Sequence, residues 1–251
     1  MITLQDLFQH LEQLFYFPEI ADASLNGLQV EGKREINKIA FAVSASVEAI
    51  ECAVKSRSDA LVVHHGIFWQ KEPLAVCGVR KTKLALLLKN EISLFAYHLP
   101  LDAHRLLGNN WKAAHDLGWQ ELEPFGEVGS APIGVKGKFS SRPIQKFIKE
   151  LEQYYSHTAH LALGGKKEVK TAALISGGAY RFIEQAGDAG VDCFITGNFD
   201  EPAWNSAFER SINFMALGHH ATEVVGIKAL AEYMRKQFNL ECEFFNSSNP
   251  F

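Results

Sequence analysis

Cysteine is scarce in this 251-residue chain, and its four copies, Cys52, Cys77, Cys193 and Cys242, lie far apart. That spacing excludes a C-x-x-C motif and a disulfide framework, and predicts buried thiols in a reducing compartment. No apolar run approaches the ~20 residues that a membrane-spanning helix needs. The N-terminal stretch MITLQDLFQHLEQLF lacks a basic start, a continuous apolar core and a small-residue cleavage site, so it reads as an amphipathic helix rather than a signal peptide. An excess of positive charge is missing as well. The net charge of −4 provides no global field to draw in nucleic acid, although a local basic patch formed on assembly is left open. Low-complexity tracts and long linkers are absent. Together these absences predict a cytoplasmic protein that does not enter a membrane. The 47% hydrophobic content is enough for one large domain or two small ones packed together.

What is present is an alternation. After a helix capped by Thr3 and ending before Pro18, the turn-rich piece ADASLNGLQVEG carries reversals at Asn26-Gly27 and Gly32. Strand-like runs then follow at KIAFAV, DALVVHH, SLFAYH, PIGVKGKF, TAALIS, DCFITG and NFMALGHH, separated by helical patterns. A long helix, EVVGIKALAEYMRKQF, leads to a last short strand, LECEFF. This order predicts an α/β fold with mixed sheets flanked by helices. It also contains a weak repeat, because KIAFAVSASVEAIECAVKSRSDALVVHHG aligns with KTAALISGGAYRFIEQAGDAGVDCFITGN. Lys38 precedes Asp59 by 21 positions in the first copy, and Lys170 precedes Asp192 by 22 in the second. Each copy continues to a third apolar run ending in a polar cluster, YHLPLD or GHHATE, which predicts two related α/β lobes.

Three clusters carry the residue types of a metal site, each after a predicted strand, where ligands gather in α/β sheets. In VVHHG, His64 and His65 sit at a strand end, where a turn of the backbone lets both imidazoles reach one cavity and bind a different ion each. Alone, the pair would read as one core and one surface histidine. In YHLPLDAH, Pro100 fixes the loop and leaves Asp102 as a hard oxygen ligand, flanked by His98 and His104. In GHHATE, His219 and Glu223 share one face of a first helical turn. The bland alternative there is helix capping by Thr222 or Glu223. Neutral imidazoles with carboxylates suit Zn²⁺, Mn²⁺ or Fe²⁺ better than Ca²⁺ or Mg²⁺. Two such ions roughly 3.5–4 Å apart would activate a water for hydrolysis.

The remaining candidates are weaker. Ser176-Gly177-Gly178 reads as a tight turn more readily than as an anion cradle, and Gly164-Gly165-Lys166 as a mobile turn. His115, His157 and His160 read as structural or exposed, and Trp69, Trp111, Trp119 and Trp204 as packing residues. No serine has nucleophile-elbow context.

NGLQVEG, VVHHGIFW, YHLPLDAH followed by GNN, TGNFDE and GHHATE, in this order from about Asn26 to Glu223, resemble the NIF3-like family, also called GTP cyclohydrolase I type 2 homologues. The likeness is to its short bacterial form, without an inserted middle domain. The resemblance implies two α/β lobes with a dinuclear metal site in the cleft between them, and a homo-oligomer in the form of a toroidal hexamer. The expected boundaries place residues 1–125 and about 225–251 in the first lobe and about 126–224 in the second. By the same resemblance His64 and His65 would each bind one of two divalent ions. Asp102 would bind one, His219 the other, and Glu223 would bridge. His98 and His220 would orient ligands, touch substrate or move protons. The mixed histidine and carboxylate set, with no competing nucleophile, points to metal-dependent hydrolysis of a small polar, nucleotide-like substrate. A metal-dependent regulatory ring that associates with DNA is one alternative, and structural metals that staple the two lobes together are a third reading.

Overall fold

A computed structural model describes residues 1–129 and 131–251. The chain starts with β1 (Ile2–Thr3), and the Thr3 hydroxyl accepts the Asp6 N–H at 3.1 Å to cap α1 (Leu4–Leu14), whose Leu4, Leu7 and Leu11 are buried. β2 (Gly27–Val30) and β3 (Glu35–Ile36) precede β4 (Lys38–Ser44). Ser46 caps α2 (Val47–Lys55), and β5 (Ala60–His65), α3 (Gly78–Lys89), β6 (Ser93–Ala96) and the short α4 (Leu99–Ala103) follow. Next come α5 (Asn109–Asp116), β7 (Gln120–Val128), β8 (Ala131–Pro143), α6 (Ile144–Tyr155), β9 (His160–Leu163) and β10 (Glu168–Leu174). After a 3-10 turn the chain forms α7 (Ile183–Asp188), β11 (Cys193–Thr196), α8 (Glu201–Glu209), β12 (Asn213–Ala216), the 20-residue α9 (His219–Phe238) and β13 (Glu241–Phe244).

The chain divides into two compact units, Met1–Leu101 with Gly226–Ser248, and Asp102–Val225 with Asn249–Phe251. Unit one is built on a five-stranded sheet in the order β13-β4-β5-β6-β2, parallel except for β2. Its central strands are apolar on both faces, as buried parallel strands require, and Ala40, Leu61, Val63 and Leu94 pack with Ile50 and Leu87 from the helices. Unit two has a six-stranded sheet in the order β7-β8-β10-β11-β12-β9. Its β10, β11 and β12 are parallel, and β7, β8 and β9 run against their neighbours. Leu174, Ile195 and Met215 pack there with Phe147 and Leu151 of α6.

The expected strands and helices are present, with instructive exceptions. GLQV, read as part of a turn-rich piece, is a strand, because β6 offers it an antiparallel edge. QELEPFGEV forms β7 despite its charges, since Pro124 is tolerated on an edge and Glu123 pairs with Lys136 on β8. Gly164-Gly165-Lys166 is pinned rather than mobile. Gly165 N–H donates to Asn213 Oδ1, the Asn213 amide donates to Lys166 O, and Gly164 leaves no room for a Cβ beside Ala207. All four cysteines are free thiols, but Cys77 is exposed, and Trp204 is 51% exposed on α8 beside Phe208. No helix among the described residues is long and apolar enough to cross a membrane.

Candidate metal centre

In unit one the site grows from the ends of β5 and β6. His64 and His65 are the last two residues of β5, which stays in register with β4 as far as Ser44–His65, and their ring centroids lie 4.6 Å apart. His98, just past β6, brings its ring to 4.9 Å from His64 and 5.5 Å from His65. One ligating atom from each of the three lies within 4.8 Å of the others.

Each ring is turned by a bond at Nδ1. His64, fully buried, faces Tyr97 O at 3.1 Å, and a carbonyl only accepts, so Nδ1 carries the proton and Nε2 is the candidate ligand atom. Tyr97 is itself anchored by its hydroxyl donating to Glu12 Oε1 at 2.9 Å, and burial pushes that hydroxyl well above the usual tyrosine range. His65 Nδ1 meets Ser44 Oγ at 2.9 Å, and His98 Nδ1 meets Asp22 Oδ1 at 2.8 Å. Burial raises the Asp22 carboxyl, but the His98 ring, the Ser24 N–H and the Asn26 amide outweigh it and hold the group at about 2.

NGLQ acquires a role here. Asn26 Oδ1 accepts the His98 N–H at 2.8 Å, and Gln29 Oε1 accepts the Ile67 N–H at 2.7 Å, fixing the loop that leaves His65. A Cβ on Gly66 would sit 2.3 Å from Gln29 Nε2, so a larger residue there would displace the amide that holds this loop.

Unit two holds the carboxylates. Asp102 is buried and its Oδ1 accepts Asn109 Nδ2 at 2.7 Å and Ser176 Oγ at 2.8 Å. Asn110 braces the same loop by accepting the Ser176 N–H at 2.7 Å and donating to Ile133 O at 2.8 Å. His219 and Glu223, four apart on the first turns of α9, bring Nε2 and Oε1 to 3.0 Å. His219 Nδ1 meets Asn198 Oδ1 at 3.1 Å. Gly177 lies against this pair with φ +66, and a Cβ on it would fall 2.3 Å from Glu223 Oε1. The Ser176-Gly177 turn thus touches Asp102 on one side and Glu223 on the other. Thr222 does not cap α9. Its hydroxyl donates back to Gly218 O and accepts the Gly177 N–H. His220 is buried, and its N–H donates to Phe251 O. His104 is turned to backbone, accepting the Leu106 and Leu107 N–H groups, and burial pushes it below the usual histidine range.

A family model described as Duf34/NIF3 (NGG1p interacting factor 3) matches residues 2–250. The chain belongs to the Duf34/NIF3 family. It is 49% identical over 253 residues to a Chlamydia pneumoniae protein named GTP cyclohydrolase 1 type 2 homolog, covering all of both chains. A Pasteurella multocida protein of the same name is 40% identical over 98% of each. Among solved structures, protein ybgI, of unknown function, superposes with a TM-score of 0.93 at 36% identity over the whole of both chains. TTHA1606 from Thermus thermophilus gives 0.91 at 34% identity, again over both chains in full.

Sequence reasoning did not single out Asp22, Ser44 or Asn198, and it took Ser176 and Trp69 for turn and packing residues. Trp69 packs its ring 5.1 Å from His98, and Ser176 bonds Asp102. Asn109 and Asn110 stand in GNN and Asn198 in TGNFDE, and those motifs are the signal that points to them. Asp22 had none, because its partner His98 lies 76 positions away.

Proposed function

We propose that this family member binds two divalent metal ions per subunit through His64, His65, Asp102, His219 and Glu223, and hydrolyses a small polar, nucleotide-like substrate. The observation that carries the reading is the orientation of the donors. His64, His65 and His219 each have Nδ1 occupied by a protein group, and Asp102 is fixed by two side-chain donors. That is how proteins prepare ligating imidazoles and carboxylates. Zn, Mn or Fe fits this mixed nitrogen and oxygen set. Divalent ions held there would supply Lewis acidity and make water a nucleophile at neutral pH. The chain's own part is to aim the nitrogens and to keep the two carboxylates of unit two shielded, with Glu223 only 3% exposed. His98 and His220 stand beside the ligands as groups to touch substrate or hold a proton. The substrate class follows the name borne by the relatives.

Elemental analysis of protein purified with Zn, Mn or Fe should give two ions per chain, and His64→Ala or Glu223→Ala should remove at least one and lower turnover more than about 100-fold. Fewer than two ions in the unaltered chain would sink the metal reading. Two ions with no turnover across a nucleotide and phosphoester panel, and salt-dependent DNA binding instead, would replace hydrolysis by a regulatory role. We further propose a cytoplasmic, ring-shaped homohexamer. Leu74, Val76, Val79 and Leu88 of unit one, 58–84% exposed, supply apolar surface for it, and light scattering on the eluted protein reads the subunit number directly.

A further inference from the structure

We propose that Asp22 is the positioning residue of His98, holding its imidazole in the Nδ1–H form so that Nε2 becomes the hydrogen-bond acceptor offered to a substrate or water bound at His64 and His65. The inference rests on the metal-centre reading above and extends it to a residue outside the ligand set.

Four donors converge on the Asp22 carboxylate. Oδ1 accepts the Ser24 N–H at 3.0 Å and faces His98 Nδ1 at 2.8 Å, while Oδ2 accepts Asn26 Nδ2 and the Leu99 N–H, both at 2.9 Å. Two of these would suffice to shape the local turn. The other two belong to His98 and to the residue that follows it, so the carboxylate is registered on the histidine's ring and backbone together. Asn26, which donates to Asp22, also accepts the His98 N–H, closing a ring of bonds around this one residue.

A carboxylate in its ionised form only accepts, so the imidazole must place its hydrogen on Nδ1. The Asp22 side chain is 4% exposed against 21% for His98, which keeps water from competing for the carboxylate and leaves the ring reachable. The Trp69 ring stands edge-on to His98 at 5.1 Å and is tied down by its Nε1–H donating to Gly66 O, which restricts rotation of the imidazole. Burial, registration and a single acceptor at Nδ1 together make a defined tautomer, the task carboxylate partners perform for functional histidines.

The test is long-range proton–nitrogen NMR on metal-free protein with labelled histidine. His98 of the unaltered chain should show a protonated Nδ1 and an unprotonated Nε2, and Asp22→Asn and Asp22→Ala should move the hydrogen toward Nε2. An unprotonated Nδ1 in the unaltered chain overturns the proposal without needing any variant, and so does an unchanged tautomer in both variants. In the metal-loaded protein Asp22→Asn should lower kcat about 10- to 100-fold with KM within about threefold, at an unchanged two ions per chain. His98→Gln should do the same, and the double variant should lose no more than either single one. Loss of an ion in His98→Gln would make His98 a ligand and overturn its assigned role. Absence of turnover in the unaltered protein would sink the hydrolase reading, while the imidazole spectrum still decides Asp22.

Discussion

Asp59 in unit one and Asp192 in unit two each tie two backbone N–H groups and a lysine in the same place, with the Thr171 hydroxyl added at Asp192. Asp59 Oδ2 accepts the N–H groups of Asn37 and Lys38 at the start of β4, and Asp192 Oδ2 accepts those of Lys170 and Thr171 in β10. Each carries a lysine on its other oxygen, Lys33 or Lys166. Each gives its backbone oxygen to the first residue of the third strand, Ser93 or Asn213. Around this hook the element order repeats once the two-residue β3 of unit one is set aside, as α1-β2-β4-α2-β5-α3-β6 in one unit and α6-β9-β10-α7-β11-α8-β12 in the other. Counting from the hook, His64 and His65 fall where unit two has Gly197 and Asn198. Unit one places nitrogen donors at that strand end. Unit two clears the same position, since a Cβ on Gly197 would meet Gly177 O and His219 Cα at 2.7 Å, and it uses Asn198 to turn His219. The architecture is shared and the chemistry is divided.

The comparison breaks most visibly if the two hooks are unequal. Asp59→Ala and Asp192→Ala each strand two backbone N–H groups, and each should cost about 2–4 kcal/mol in urea unfolding. Burial raises both carboxyls, but the paired lysine and the backbone donors outweigh it and hold both below their usual value of 3.8. A depressed folded pKa contributes stability above the unfolded value and loses it as pH falls through the folded one. Stability from these groups should therefore be level down to about pH 4 and decline below it, and each variant should show a shallower acid decline. One variant near neutral and the other severe would end the equivalence.

Gly197 tests the divided chemistry at a smaller scale. Gly197→Ala should destabilise by about 1–3 kcal/mol, since backbone stands at two of its three close contacts and cannot move aside as a side chain tip would, the third being Thr222 Oγ1. A neutral result would show that unit two tolerates a side chain where unit one carries His64, leaving the glycine without a steric reason.

The hooks were visible in the sequence as the separations of Lys38 from Asp59 and Lys170 from Asp192, although their meaning as hydrogen bonds was not. Local order was legible because the apolar runs of β4, β5, β10 and β11 are bounded by turn residues. The candidate ligands were legible because each follows such a run. What escaped depended on partners distant in sequence. β2 and β7 are strands by virtue of the edges they meet, and Asp22 matters through His98. His98 precedes Asp102 by four positions, as His219 precedes Glu223, yet the two pairs fall one position apart in the repeat. Ser93 pairs with Ala60 as Asn213 pairs with Cys193, which sets His98 at the position of Gly218.

The smallest expected effects lie in the lysines that decorate the hooks. Lys33 is 45% exposed and Lys166 72%, while their carboxylates are almost wholly buried. The Asp-to-backbone bonds do not need the ammonium groups, which act through solvent-screened charge. Lys33→Gln and Lys166→Gln should lower the melting midpoint only slightly, Lys33→Gln more because it is the less exposed. Both differences should fade in about 1 M salt, where the screening length shrinks to roughly 3 Å. A lysine variant as damaging as the aspartate variants, or one indifferent to salt, would mean that the ion pair carries the junction. The two units would then share a charge pair, and the backbone hook would be its by-product.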